Sequence, residues 1–433
     1  MAARWRFTSL SDHAVVGPDE RLAWGQMIAL GGQHLVAMFG STVLAPMLMG
    51  FDTNLAILMS GVATLLFFLV VGGRIPSYLG SSFAFIPVVC AATGYVNGSG
   101  ANAAAAAALG GIAVCGALYA LCGLLVMWVG TGWIEALLPP RVTGAVVVTI
   151  GLNLAPSAVG SVSGSAFDGL MALITVLCIG GMAVLARGVM QRLLLLFGLL
   201  MAYALYFCAA NVLGWGAPID FTPVSRAAWL GLPHFHAPVV DLHAIVMIAP
   251  VVVILIAENL GHIKAVSEMT GVPLDRWMGR AFLGDGLATM LSGCVGGTGV
   301  TTYAENIGVM AVTRVFSTLT FVIAGGLAIV LGFSPRFGAL VHTLPISVLG
   351  GASIVVFGMI SAAGVRIWMQ NGVDLGDHAT LILMSVTMIL GAGNFSLSIG
   401  MFQLNGIGTS MLAAIVLNVL FTNRYVRRRL AKN

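Results

Sequence analysis

Residues 296–308 read Gly-Gly-Thr-Gly-Val-Thr-Thr-Tyr-Ala-Glu-Asn-Ile-Gly. This run of glycines and hydroxyls, closed by the carboxylate of Glu305, interrupts a chain that is 59% hydrophobic and 8% charged. A soluble domain carries about 25% charge, so this chain lacks the polar residues to cover a surface facing water. Its apolar stretches, about 20 residues each, are long enough to cross a bilayer as helices. The composition therefore points to an all-α polytopic membrane protein. Within it, residues 296–303 are too polar and too rich in glycine to continue a helix at depth. Irregular backbone is tolerated there only where protein or a water-filled cavity satisfies it.

A second interruption of the same kind, Ser77-Tyr-Leu-Gly-Ser-Ser-Phe83, lies about half a chain earlier. Ser81-Ser-Phe83 and Thr301-Thr-Tyr303 share a hydroxyl-hydroxyl-aromatic pattern, which suggests an internal repeat. Apolar runs predict fourteen spans, near 24–49, 54–73, 83–97, 103–130, 142–160, 168–186, 193–213, 243–264, 281–296, 304–314, 315–333, 344–365, 378–396 and 403–422. Seven spans per half make the second copy enter the membrane from the opposite side. Paired discontinuous segments in two inverted halves are the sequence pointer to a secondary transporter's binding site. The expected organisation is a cytoplasmic tail over 1–23, a first seven-span repeat over 24–213, an external loop over 214–242, a second repeat over 243–422 and a basic cytoplasmic tail over 423–433. With both termini inside, all but two of the 19 basic residues, Arg226 and Arg336, fall on the cytoplasmic side. That asymmetry is what the positive-inside rule requires. The net charge of +4 thus concerns orientation and implies no nucleic-acid partner.

The N-terminal stretch has no short apolar core with a cleavage site, so the first span is expected to act as the targeting signal. The six cysteines lie in or beside apolar segments, without CxxC pairs or neighbouring histidines, and read as small hydrophobes with no disulfide or metal framework.

Two glutamates stand out at membrane depth, Glu258 in Ala257-Glu-Asn-Leu-Gly-His262 and Glu305 after the second break. Such a group costs roughly 2.5–3.5 kcal/mol on insertion scales and is a functional-site candidate by default. Glu258 and His262 stand four apart, so they share a helix face and can hydrogen-bond. Burial penalises the charged carboxylate, and a neighbouring imidazole can tune or relay its proton. The functional reading is substrate binding by Glu258 with proton coupling through His262; the alternative is a structural hydrogen bond between helices. Glu305 would open a half-helix whose first amides, with those of Tyr303 and Ala304, are unpaired donors at a positive dipole end. Asn306 beside it shapes the site or caps the helix. In the first half the amide of Phe83 takes the equivalent place, and its ring can stack on a planar ligand. Asp285, in Gly284-Asp-Gly286, is a third acid, either part of a proton path or a helix-end group facing cytoplasmic water. Gln33-His34 are polar at depth on the first span and are expected to brace the site. Together these groups suit a planar, uncharged molecule with alternating N–H and C=O groups. An anion does not fit, since no buried arginine or lysine converges there.

Glu305-Asn-Ile-Gly-Val-Met-Ala-Val-Thr-Arg314 resembles the signature of the nucleobase–ascorbate transporter family (nucleobase:cation symporter-2), which reads Gln/Glu-Asn-x-Gly, four residues, then Thr and Arg, Lys or Gly. Gln33-His34 is similar to that family's first-span Gln-His motif, and Ala257–His262 to its eighth-span motif. The resemblance covers about Leu22 to Phe421. Pro76–Phe85 and the glutamate opening the signature look like the bacterial uracil permease branch, since purine members usually open with glutamine. The resemblance implies fourteen spans in a seven-plus-seven inverted repeat, divided into core and gate domains, with short antiparallel strands in spans three and ten at the two breaks. It implies that Glu258 and Glu305 hold the base, that the amides of Phe83 and Ala304 complete the contacts, and that His262 couples protonation to Glu258. It further implies a homodimer through the gate domain, in a bacterial inner membrane. Three positions depart from the uracil permease pattern: Ala304 replaces a glycine, Asn259 a histidine, and Asp285 an asparagine, Asp285 resembling the acid of purine-transporting members.

The expected activity is proton-coupled import of uracil, with thymine as a further substrate, by alternating access, with the proton as coupling ion and no cofactor. Xanthine or uric acid transport by the same machine is the alternative. Anion exchangers and sulfate transporters would want a basic residue at the half-helix ends. An intramembrane enzyme is disfavoured because Glu258 and His262 belong to no HExxH motif or ligand cluster. A passive channel would show neither accumulation nor pH dependence.

Overall fold

Alanine, leucine and glycine runs free of charge form helices throughout the computed structural model, which describes residues 5–8, 15–96, 100–187, 189–399, 402–404 and 406–422. The tail expected over 423–433, and parts of the one expected over 1–23, lie outside the described residues. Among these residues eight helices are long and apolar enough to cross a bilayer. There are nine if Thr318–Gly332 and Pro335–Val341, bent by 86° at their junction, count as one span. His378–Ala392 and Gly406–Thr422 are shorter apolar helices.

The chain divides into two compact units, Met1–Val129 with Gly160–Ala352, and Gly130–Val159 with Ser353–Asn433. Each draws on both halves of the sequence. The larger unit contains helices α1 (Trp24–Met49) and α2 (Thr53–Val70), strand β1 (Leu79–Ser81), and helices α3 (Phe85–Thr93) and α4 (Ala105–Val129). From the second half it takes α5 (Val251–Thr270), α6 (Met278–Val295), strand β2 (Val300–Thr302), α7 (Ala304–Thr313) and α8 (Thr318–Gly332). At the two breaks the expected spans 83–97 and 304–314 hold the short helices α3 and α7, of 9 and 10 residues, each preceded by a three-residue strand.

Two glycine-lined crossings hold these helices together. A Cβ added at Gly116, Gly123 or Gly286 would lie 2.3 Å from the backbone nitrogen of Met290, Leu283 or Ala120, so α4 and α6 touch backbone to backbone. On the facing pair, a Cβ at Gly61 of α2 would lie 2.4 Å from the carbonyl oxygen of Gly325 of α8. In lipid, where burial of apolar side chains drives little association, small residues gain dispersion contacts by letting backbones approach.

Strands β1 and β2 pair antiparallel, Leu79 with Thr302, Gly80 with Thr301 and Ser81 with Val300. Their outer backbone groups are satisfied from the flanking helices. Thr64 Oγ1 of α2 accepts from Leu79 N at 3.0 Å and donates to Leu79 O at 3.3 Å. Thr289 Oγ1 of α6 treats Val300 in the same way, at 3.3 and 3.0 Å. Extended backbone at depth is thereby enclosed by protein groups. Gly80 is required by close approach, since its Cβ would lie 2.6 Å from the Tyr303 ring and 2.7 Å from Thr42 Oγ1.

The smaller unit is fastened by polar side chains on its helices. Arg141 donates from Nε and Nη2 to Asn418 Oδ1 at 3.0 and 2.8 Å, and Asn153 Nδ2 donates to Gly391 O at 2.7 Å. The helix His378–Ala392 starts at Asp377, whose Oδ2 accepts from Thr380 N at 3.1 Å and Thr380 Oγ1 at 2.9 Å.

Candidate functional site

The two strands end where the two half-helices begin, and Phe83 and Ala304, whose amides the sequence singles out, stand at these junctions. Helix α7 has Tyr303 at its N-cap, with no side-chain cap, and its first turn is closed by Ile307 N donating to Tyr303 O at 3.4 Å. The amides of Ala304, Glu305 and Asn306 therefore precede any intrahelical acceptor, as expected of an N-terminus. Ala304 is exposed, while Glu305 and Phe83 are half-buried. Tyr303 N is taken by Tyr78 O at 3.0 Å. The Tyr303 hydroxyl donates to Ser81 O at 2.8 Å and lies 3.1 Å from Thr42 Oγ1, tying the break to α1. Tyr303 is thus a support for the strand ends and is 4% exposed.

Helix α1 reaches the same place. Ser41 Oγ donates to Glu305 Oε1 at 2.7 Å. One turn or two before it, His34 is fully buried, and Asn306 Nδ2 donates both to His34 O and to His34 Nδ1, each at 3.0 Å. His34 packs its ring 4.6 Å from that of Phe321. Gln33 is half-buried beside it.

Glu258 lies on α5, half-buried, near the side chain of Thr301 at the centre of β2. It is close enough to Glu305 and to Asp285 for each pair of carboxyl groups to repel. The sequence paired Glu258 with His262 on one helix face. In the structure the partner of His262 is Thr302, with Nδ1 2.9 Å from Oγ1. Thr302 Oγ1 in turn lies 3.4 Å from Asn259 Oδ1, and Asn259 Nδ2 donates to Asp285 Oδ2 and to the Tyr119 hydroxyl, both at 2.9 Å. Asp285 is 0% exposed, which removes the alternative that it is a helix-end group facing cytoplasmic water. Asp285 Oδ1 and Thr301 Oγ1 are buried without a hydrogen-bond partner.

Sequence reasoning missed Ser41, Thr42, Tyr119 and Thr302 as site supports. Ser41, Thr42 and Tyr119 are hydroxyl side chains on apolar helices and Thr302 lies within the second break, and only the pairing of distant segments distinguishes them from ordinary helix or strand residues. Among the described residues no group of three or more His, Cys, Asp and Glu side chains is arranged to hold a metal ion. The arrangement brings two interacting carboxyl groups, Glu258 and Glu305, to the start of a half-helix whose opening amides precede any intrahelical acceptor. It can grip a planar molecule by its N–H and C=O edges, and it concentrates negative charge that a proton would relieve.

Comparison with known proteins identifies the family. A family model described as Permease family matches residues 25–400. The chain is 62% identical over 423 residues to "Putative pyrimidine permease RutG" of Escherichia coli strain K12, covering 98% of this chain and 96% of that protein. It is 37% identical over 418 residues to the uracil permease of the same organism, covering 94% of each. Among solved structures, the transmembrane domain of the cyanobacterium bicarbonate transporter BicA aligns with a TM-score of 0.58 at 15% identity, over 91% of this chain and 97% of that one. Murine Slc26a9, an anion transporter in the inward-facing state, aligns at 0.65 with 10% identity, over 92% of this chain and 68% of that one. These two show a shared membrane-transporter fold. The match to the family model over most of the chain, and to the uracil permeases over most of their length, makes the chain a multi-pass member of the Permease family and, through its Glu305–Arg314 signature, of the nucleobase–ascorbate transporters.

Proposed function

We propose that the protein imports uracil, and thymine as a further substrate, by proton symport with alternating access. The observation that carries this reading is that Glu258 and Glu305 are near enough to interact, with Glu305 in the first turn of α7, whose opening amides precede any intrahelical acceptor. Glu258 and Glu305 accept the two N–H groups of the base, and the amides of Phe83 and Ala304 donate to its carbonyls. The Phe83 ring stacks on its face. A neutralised Glu258 crosses between states more cheaply than a charged one, which couples the proton to the movement of the base. His262 exchanges that proton with Glu258, and Gln33, His34, Tyr303 and Asn306 hold the frame. The names of its relatives, a pyrimidine permease and uracil permeases, support the substrate class.

The proposed architecture is fourteen spans in two inverted halves, with a core and a gate. It is supported by the matched treatment of Leu79 by Thr64 and of Val300 by Thr289. The matched glycine crossings of α4 with α6 and of α2 with α8 support it as well. The arginine distribution supports cytoplasmic termini, and the family resemblance supports the bacterial inner membrane and a homodimer through the gate.

A second reading, transport of xanthine or uric acid, is favoured by Asp285, the buried acid where the uracil permease pattern has asparagine. One experiment separates the two. Uptake of radiolabelled uracil by proteoliposomes is measured with and without an inward proton gradient, competed with thymine, xanthine and uric acid, with Glu258→Ala and Glu305→Ala alongside. Gradient-driven accumulation abolished by both substitutions and competed only by pyrimidines is expected. Competition led by xanthine moves the substrate to the purines, and uptake without gradient dependence removes the symport.

A further inference from the structure

The buried groups between α5, α6 and β2 form a chain whose hydrogen-bond polarity can be worked out from one end. Asp285 Oδ2 faces the Asn259 side chain at 2.9 Å. With Oδ2 as an acceptor, whether the acid is ionised or carries its proton on Oδ1, the amide must present Nδ2, because a turned amide would set oxygen against oxygen. The Tyr119 hydroxyl fits the same orientation, accepting from Asn259 Nδ2 at 2.9 Å and donating to Leu255 O at 3.2 Å. Asn259 Oδ1 is then turned toward Thr302, and Asn259 is 0% exposed, so water does not supply it with a donor.

Thr302 Oγ1 has a single proton and two neighbours. If that proton points to His262 Nδ1, the buried carbonyl of Asn259 loses the donor it has among the described residues. If it points to Asn259 Oδ1, His262 must donate from Nδ1, and every group from His262 to Leu255 is paired. Buried polar groups overwhelmingly take the fully paired arrangement. We infer that Asp285 is a positioning residue that acts through Asn259 and Thr302 to hold neutral His262 as its Nδ1–H tautomer. Nε2 is left as the lone-pair nitrogen. This is the opposite of the tautomer that a free imidazole side chain prefers in water, so the protein must impose it. Which nitrogen carries the proton is set by the hydrogen bond the other makes.

The consequence for transport, which rests on the proton symport proposed above, is that His262 is set to receive a proton at Nε2. Asp285 then matters by orienting the amide, in either of its protonation states, and is no station on the proton's path. The tautomer itself depends on no assumption about the substrate.

The test uses the full chain in lipid nanodiscs with 15N-labelled histidine rings, where ring nitrogen shifts separate the tautomers and His262→Gln assigns the signal. The expected result is Nδ1–H in the native protein. Asn259→Leu removes the carbonyl that claims the Thr302 proton, and Thr302→Val removes the hydroxyl; both should switch His262 to Nε2–H. Thr302→Ser should restore Nδ1–H. Thr302 lies in a strand, where valine is well accommodated, so the Thr302 pair decides the matter even if Asn259→Leu does not fold. Asp285→Ala frees the amide to turn over and should give two His262 signals. A native Nε2–H signal, or an unchanged one in Thr302→Val, overturns the inference, and a single unchanged signal in Asp285→Ala removes Asp285 from the chain. These readings need no uptake, so failure of the tautomer and failure of uracil transport are told apart.

Discussion

Ser41 and Glu305, 264 residues apart, are joined by a 2.7 Å hydrogen bond in which the serine hydroxyl donates to Oε1 of the carboxylate. The bond fixes the rotamer of the glutamate. Bonds to charged groups contribute roughly 1.5–3 kcal/mol. Ser41→Ala is therefore expected to weaken uracil binding about tenfold or more, while Ser41→Thr keeps most of the affinity. Titration of the purified protein with uracil checks this, and a loss of less than twofold would mean that Glu305 is oriented without Ser41.

Gly80 admits no side chain, because the Tyr303 ring and Thr42 Oγ1 occupy the space a Cβ would need. Gly80→Ala is expected to displace Tyr303 and strain its bonds to Ser81 O and Thr42. Overpacking of this kind costs about 1–3 kcal/mol. The expected outcome is a lower unfolding midpoint together with weaker uracil binding. A loss of midpoint with unchanged binding would show that Tyr303 supports the strand and not the site.

Much of this was legible in the sequence. The two breaks were visible because glycine and hydroxyl runs cannot persist as helix in lipid, and the two glutamates because charge is rare there. The partners of those groups were not visible. Ser41 looks like any small residue on an apolar helix, and Asn259 reads as a neighbour of Glu258 until α6 is seen to bring Asp285 against it. Nor could periodicity separate Glu258–His262 contact from His262–Thr302 contact, since both are compatible with residues four apart on a helix. Hydropathy alone does not distinguish a strand and half-helix from a full helix at 83–97 and 304–314; the glycine and hydroxyl runs before them are what mark the breaks.

Asn306 holds His34 by donating twice, and an acid in its place could not. Asn306→Asp, ionised, would face the His34 carbonyl with an acceptor and would need His34 to carry its proton on Nδ1. The expected cost is roughly 1–3 kcal/mol, the scale of a buried group left unpaired. His34→Gln in the same background should recover part of it, since an amide can donate where the imidazole accepted. Thermal unfolding in detergent of the single and double variants checks this; equal losses in both would sink the pairing.

Asp377, at the start of the His378–Ala392 helix outside the apolar span, is held below the usual aspartate value of 3.8, first by the hydrogen bond from the Thr380 side chain and then by that from its backbone. A carboxyl lowered on folding stabilises the folded state above its unfolded value and loses that contribution as pH falls through its folded one. The difference in unfolding midpoint between the native protein and Asp377→Ala should thus be present at neutral pH and shrink below pH 3.8. A difference that stays constant with pH would mean that the cap acts without its charge.

Gly286 stands next to Asp285 on α6, and Ala120 next to Tyr119 on α4. The 2.3 Å approach between an added Cβ at Gly286 and Ala120 N is what brings Tyr119 and Asp285 onto the same Asn259 amide. Gly286→Ala must therefore part the two helices, with a cost of about 1–3 kcal/mol and a disturbed relay beneath the site. Gly326, on α8, has open space where its Cβ would be. Gly326→Ala should be neutral or stabilising, by up to about 1 kcal/mol, from helix propensity alone. If both substitutions lowered the unfolding midpoint equally, the cost would lie in replacing glycine as such. If only Gly286→Ala does so, and uracil binding falls with it, the helix crossing is what positions the acid, and the site depends on a backbone contact that no polar motif records.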